Sequence, residues 1–221
     1  MINFYGYFRS SSAYRARIAF NLKGLPYQFT SIHLRKDGGQ QKKPAYLSVN
    51  PQGLVPTIED GDFRVSQSLA IIEWLDETHP EPPLLPANAN ERAKIRAFAQ
   101  IVACDIHPLQ NLRVLDYLQA NFGQDQQGLN RWCQHWISEG LNACEALLEQ
   151  HALGRFAFGA TPTLADICLV PQVFSAQRFG VNLAGLPRVN AIVEHCNALP
   201  AFAKAHPSAQ PDAELLISAE K

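Results

Sequence analysis

Residues 2–8 (INFYGYF) and 27–34 (YQFTSIHL) are dense in aromatic and β-branched side chains and read as strands. Between them, SSSAYRARIAFNLKG reads as a helix. Tyr14, Ile18 and Leu22 recur along one face, the serines offer N-caps, and Gly24 followed by Pro26 supplies a stop. A strand, helix, strand unit closes by a right-handed crossover, so its two strands are parallel. Further on, LVPTIEDGDFRV predicts two short strands around Asp60-Gly61, a dipeptide favoured in tight hairpin turns. SLAIIEWLDETH then predicts a helix with Leu69, Ile72 and Leu75 on one face. Residues 1–80 therefore predict β-α-β followed by β-β-α.

The pattern changes at HPEPPLLPANAN, where four prolines in twelve residues exclude a continuous helix or a central strand. Residues 81–90 read as a linker between domains. Beyond it, helical periodicity runs over 91–122, 126–150, 161–180 and 187–199, so 91–221 predicts an all-helical domain. The polar, proline-bearing tail after Pro207 reads as a loose or surface-docked end. The fold class is α/β plus all-α: a small βαβ-ββα domain, then a helical one.

Composition narrows the function. Nineteen Lys and Arg against twenty Asp and Glu leave a net charge of −1, which gives no general attraction to nucleic acid or to an anionic membrane. No apolar run is long enough for a membrane helix, and Met1–Phe8 has no secretory leader pattern, so the cytoplasm is the expected location. Five cysteines without a CxxC argue against a disulfide framework or structural zinc, and Cys144 and Cys168 read as small buried hydrophobes. Seven scattered histidines imply no metal.

Two places carry candidate chemistry. Ser10, Ser11 and Ser12 stand where the first strand hands over to the first helix, so hydroxyls and unpaired N–H groups converge on a point suited to a thiolate, carboxylate or phosphate. The alternative is that one serine is only the N-cap. Gln67 and Ser68 open the helix after the hairpin and form a second candidate anion site. Val55-Pro56 precedes a strand, a setting that admits a cis bond and leaves the Val55 backbone exposed to pair with an extended ligand. Thr163 and Asp166 in TPTLAD fit a capping box and read as structural.

YFRSSSAYRARIAF, NLKGLPY, KDGGQQ, NPQGLVPTI, QSLAIIEWL, LLPANANERA, IHPLQNLRVL, TPTLADICLVPQV and QPD together resemble the zeta class of the cytosolic glutathione transferases over residues 3–212. One departure is Ser12, where the class often has cysteine in a Ser-Ser-Cys run. The resemblance implies a thioredoxin-like N-terminal domain, glutathione as cofactor and a two-fold homodimer, with no nucleic acid or membrane partner. It implies that Ser10 or Ser11 bonds the glutathione sulfur, Ser11 being the first choice. It also implies that Gln67 and Ser68 hold the glutamyl end, that Val55 before Pro56 pairs with the cysteinyl part, and that Ser12, Gln41, His107, Asn111, Leu112 and Arg113 supply further contacts.

His107 and Asn111 would share a face of one helix, although Pro108 between them interrupts such a helix. The implied activity is glutathione-dependent cis–trans isomerisation of maleylacetoacetate to fumarylacetoacetate in phenylalanine and tyrosine breakdown. Its substrate carries two carboxylates, for which Arg9 and Arg178 are the guanidinium candidates, the alternative for Arg178 being a solvated helix position. A maleylpyruvate isomerase and a broad glutathione transferase fit the same motifs. A non-catalytic glutathione-binding module is favoured only by Ser12.

Overall fold

The computed structural model describes residues 1–151 and 154–213. The chain divides into two compact units: Met1–Pro83 with the stretch from Leu199 onward, and Leu84–Ala198. The division falls inside the proline-rich stretch.

The first unit opens with β1 (Ile2–Gly6), α1 (Ser11–Leu22) and β2 (Tyr27–Ser31), continues through a short helix α2 (Pro44–Leu47), and then forms β3 (Thr57–Asp60), β4 (Phe63–Ser66) and α3 (Ser68–Thr78). The strands form one sheet in the order β2-β1-β3-β4. β1 and β2 are parallel from Ile2 against Tyr27 to Gly6 against Ser31, as the crossover rule requires. β3 runs antiparallel to both β1 and β4. The hairpin pairs Asp60 with Phe63, so its loop residues are Gly61 and Asp62, one position beyond the expected Asp60-Gly61; Gly61 takes the positive φ (59°) that the turn needs.

Phe4 is completely buried in an aromatic cluster with Phe20, Tyr27 and Phe29. This cluster joins α1 to the parallel pair, and truncating Phe4 there costs about 3–5 kcal/mol. The buried face of α3 is Ser68, Ile71, Ile72 and Leu75; Leu69 is only partly covered, a shift of the predicted stripe.

The second unit contains α4 (Ala89–Gln100), α5 (Leu112–Phe122), α6 (Gln126–His151), α7 (Leu164–Arg178) and α8 (Pro187–Asn197). Its centre is α7, in which Leu164–Val173 are all buried. The predicted helix over 91–122 is broken. After Gln100 the chain widens into a π-helical stretch (Ile101–Ile106) and tightens into a 3-10 turn (His107–Gln110) before α5 begins. Pro108 has no N–H to continue the α pattern, and Asn111 adopts extended φ/ψ as the N-cap of α5. Trp132 Nε1–H donates to Leu109 O at 2.7 Å and Gln110 Nε2–H to Gln172 Oε1 at 2.7 Å, fixing the break to α6 and α7. Cys133, Cys144, Cys168 and Cys196 are fully buried.

Thr163 and Asp166 form the capping box of α7. Asp166 is completely buried and accepts from the backbone N–H groups of Ala157 and Thr163, each at 2.8 Å, and from Thr163 Oγ1 at 3.0 Å.

The chain then returns to the first unit. α9 (Pro200–Ala205) packs on α1, followed by a 3-10 turn (Pro207–Ala209). Pro207, Gln210 and Asp212 are buried, so the described part of the tail is neither loose nor part of the helical unit. Its anchors are polar groups with partners far back in the sequence, which periodicity does not reveal. The rest of the predicted tail, 214–221, lies outside the described residues.

Candidate active site

β1 and α1 are joined by a turn in which Ser10 N–H donates to Tyr7 O at 3.0 Å. Ser10 is the N-cap of α1: its hydroxyl accepts from Ala13 N–H at 3.2 Å and lies 3.1 Å from Ser12 Oγ. Ser12 donates to Val55 O at 3.0 Å. Ser11 opens the helix and is buried. One serine therefore caps the helix, as the simpler sequence reading has it, while the hydroxyls of Ser10 and Ser12 meet at the helix's positive end. Arg9 is half-buried, its guanidinium 5.8 Å from the centre of the Phe8 ring.

Val55-Pro56 is cis, and Val55 is buried rather than exposed. Its carbonyl is engaged by Ser12, so this hydroxyl ties the proline loop to α1. The cysteine of the zeta pattern would offer a weaker donor at that position.

The second candidate anion site is the N-terminus of α3. Gln67 is held at φ 75°, an unfavourable region for a residue with a side chain, and caps α3 without a side-chain hydrogen bond. Its amide instead donates to Gln52 Oε1 at 2.9 Å. Ser68 is buried, and Arg15 Nη1–H donates to its hydroxyl at 3.1 Å. Arg15 is 2% exposed, so a buried guanidinium sits behind the α3 N-terminus. Sequence reading missed it. The available signal was an arginine between Tyr14 and Ala16 in an otherwise apolar helix. Gln41 is also buried, its Nε2–H bonded to Leu34 O at 3.1 Å and its Oε1 without a hydrogen-bond partner.

The remaining predicted residues lie in the second unit. His107 belongs to the 3-10 turn, while Asn111, Leu112 and Arg113 form the cap and first turn of α5. Asn111 Oδ1 accepts from Arg113 N–H at 3.1 Å. The break after Gln100 removes the common helical face expected for His107 and Asn111. Arg178 is exposed in the last turn of α7, where a cation suits the helix dipole, and stacks over Phe179 at 4.7 Å. Among the described residues, no group of three or more His, Cys, Asp or Glu is placed to hold a metal, and no helix is long and apolar enough to cross a membrane.

The first unit's donor set suits a flexible thiol that also carries a carboxylate. Hydroxyls at one helix N-terminus favour a thiolate. A second N-terminus backed by a buried guanidinium favours a carboxylate. The unpartnered Gln41 Oε1 offers an acceptor for an N–H or ammonium group. Glutathione has these groups.

Residues 4–83 match the glutathione S-transferase N-terminal domain and residues 126–195 the glutathione S-transferase C-terminal domain. A maleylpyruvate isomerase from Ralstonia sp is 50% identical over 94% of this chain and 98% of its own. The maleylacetoacetate isomerase of Pseudomonas aeruginosa is 46% identical over 94% and 97%. A holo structure of maleylpyruvate isomerase, described as a bacterial zeta-class glutathione S-transferase, superposes with a TM-score of 0.93 at 50% identity, covering 95% of this chain and 99% of that one. The serine-capped turn, the uncapped second helix and this likeness over nearly the whole length together make the chain a member of the glutathione S-transferase family, in its zeta class.

Proposed function

We propose that the protein is a glutathione-dependent cis–trans isomerase converting maleylacetoacetate to fumarylacetoacetate, acting in phenylalanine and tyrosine breakdown as a cytoplasmic homodimer. The observation that carries this reading is the cluster of Ser10, Ser11 and Ser12 at the N-terminus of α1, in a chain 46% identical to a maleylacetoacetate isomerase. When bound, glutathione supplies a thiolate nucleophile whose reversible addition turns the cis double bond into a rotatable single bond, and it is regenerated at the end.

The chain's own residues do the rest. Ser11 donates to the sulfur, and with the helix N-terminus it lowers the thiol pKa. Gln67 and Ser68, with Arg15 behind them, receive the glutamyl carboxylate, and Val55, its carbonyl already engaged by Ser12, offers its backbone N–H to the cysteinyl part. Gln41, His107, Asn111, Leu112 and Arg113 take further glutathione contacts by resemblance. Arg9 and Arg178 are the guanidinium groups for the two substrate carboxylates.

A second substrate, maleylpyruvate, is favoured by the 50% identity to the Ralstonia protein. Offering both substrates, each with and without glutathione, tests the reading. Turnover of maleylacetoacetate only in the presence of glutathione supports it, turnover of maleylpyruvate alone supports the second substrate instead, and turnover of neither refutes both. Arg178→Ala is expected to raise KM for the dicarboxylate about tenfold while leaving KM for glutathione unchanged.

A further inference from the structure

The turn that delivers Arg9 and the serines is itself held by two buried charged side chains. Phe8 N–H donates to Asp212 Oδ2 at 3.0 Å, and Phe8 O accepts from Arg17 Nη2 at 2.9 Å. Tyr7 O, already bonded to Ser10 N–H, also accepts from Arg17 Nη1 at 3.4 Å. Arg17 Nε–H reaches the C-terminal segment, donating to Ala205 O at 2.9 Å, while Asp212 Oδ2 also accepts from Ser31 Oγ at 2.8 Å. Arg17 is completely buried and Asp212 is 4% exposed.

Burial pushes the Arg17 guanidinium down to about 10, which leaves it charged at neutral pH. Burying two charges costs more than well-packed apolar side chains would, so thermodynamic stability is a poor reason for keeping them. What they fix is geometry: both backbone groups of Phe8 are bonded to them, two residues before Ser10. Small displacements of a positioned group cost large factors in rate.

We propose that Arg17 and Asp212 are positioning residues, and that the segment Leu199–Ala213 clamps the Tyr7–Ser10 turn and so sets where the serine hydroxyls meet a bound thiol. This rests on the reading of those serines as the thiol-binding group.

The test uses the full chain, with glutathione as the probe. Asp212→Ala removes the acceptor from both Phe8 and Ser31; Ser31→Ala removes only the second donor; Asp212→Asn keeps an acceptor oxygen without the charge. Hydrogen exchange of residues 7–12 is read without glutathione, the thiolate absorbance of bound glutathione is read against pH, and thermal midpoints are recorded alongside. Asp212→Ala is expected to speed exchange in residues 7–12 about tenfold and to raise the bound thiol's pKa by about one unit. Asp212→Asn falls between it and the native chain, and Ser31→Ala matches the native chain in both readouts even where its midpoint falls.

An Asp212→Ala chain that melts lower with native exchange in the turn, or with faster exchange but a native thiol pKa, overturns the proposal. If Asp212→Ala does not fold, native values in Asp212→Asn overturn it. A native chain that binds no glutathione defeats the functional reading alone, and the exchange measurement then still judges the clamp.

Discussion

Ser10, Ser11 and Ser12 are chemically identical side chains in three different settings, and their substitutions separate capping from chemistry. Ser11→Ala is expected to lower kcat/KM about 100-fold or more, roughly 3 kcal/mol of transition-state stabilisation. Ser10→Ala removes the N-cap of α1 and lowers stability by about 1 kcal/mol, visible in a denaturation curve. A reversal of these outcomes would assign the sulfur to Ser10. The cysteines differ by exposure in the same way. Burial pushes the Cys133 thiol up to about 11 and the Cys144 thiol up to about 12, and raises Cys196, whereas Cys104 is exposed. A thiol reagent at mildly alkaline pH should modify Cys104 rapidly in the native chain and all five thiols only after denaturation.

Elements show which kinds of local signal are readable from sequence. β1, α1, β2 and the hairpin followed from aromatic and β-branched runs, a serine cap and a glycine turn, all of which act over a few residues. The break between α4 and α5 was only half legible: Pro108 pointed to it, but the π-helical widening before it depends on packing among α4, α6 and α7. The α7 capping box was readable because both partners lie three residues apart. Asp166→Ala strands the buried N–H groups of Ala157 and Thr163 and should cost about 2–4 kcal/mol by denaturant titration.

In the sheet, Tyr5 donates its phenol proton to Glu59 at 2.6 Å, and Glu59 also pairs with Arg64. The Tyr5 hydrogen bond is the main cause that holds the Glu59 carboxyl below its ordinary value. A carboxylate with a depressed folded pKa stabilises the fold above its unfolded pKa, and that gain is lost as pH falls through the folded value. Tyr5→Phe should therefore narrow the stability difference between neutral and acid pH, and its deficit against the native chain should vanish in acid.

At the scale of the whole molecule, the relations that sequence could not disclose are the long ones. Arg15 and Arg17 look like solvated helix charges because Ser68 lies 53 residues from the first and Ala205 lies 188 residues from the second. The return of the C-terminal segment to the first unit is equally silent, since Asp212 bonds Phe8 across 204 residues. Motif resemblance reached further than periodicity here, because it carried QPD as a matching stretch without explaining it.

The most direct test of the isomerase account is a spectrophotometric assay of the purified chain with maleylacetoacetate and maleylpyruvate in parallel, each with and without glutathione. The account predicts turnover of at least one, maleylacetoacetate first, strictly dependent on glutathione and with no net loss of it. Absence of isomerisation of both substrates at saturating glutathione would contradict it.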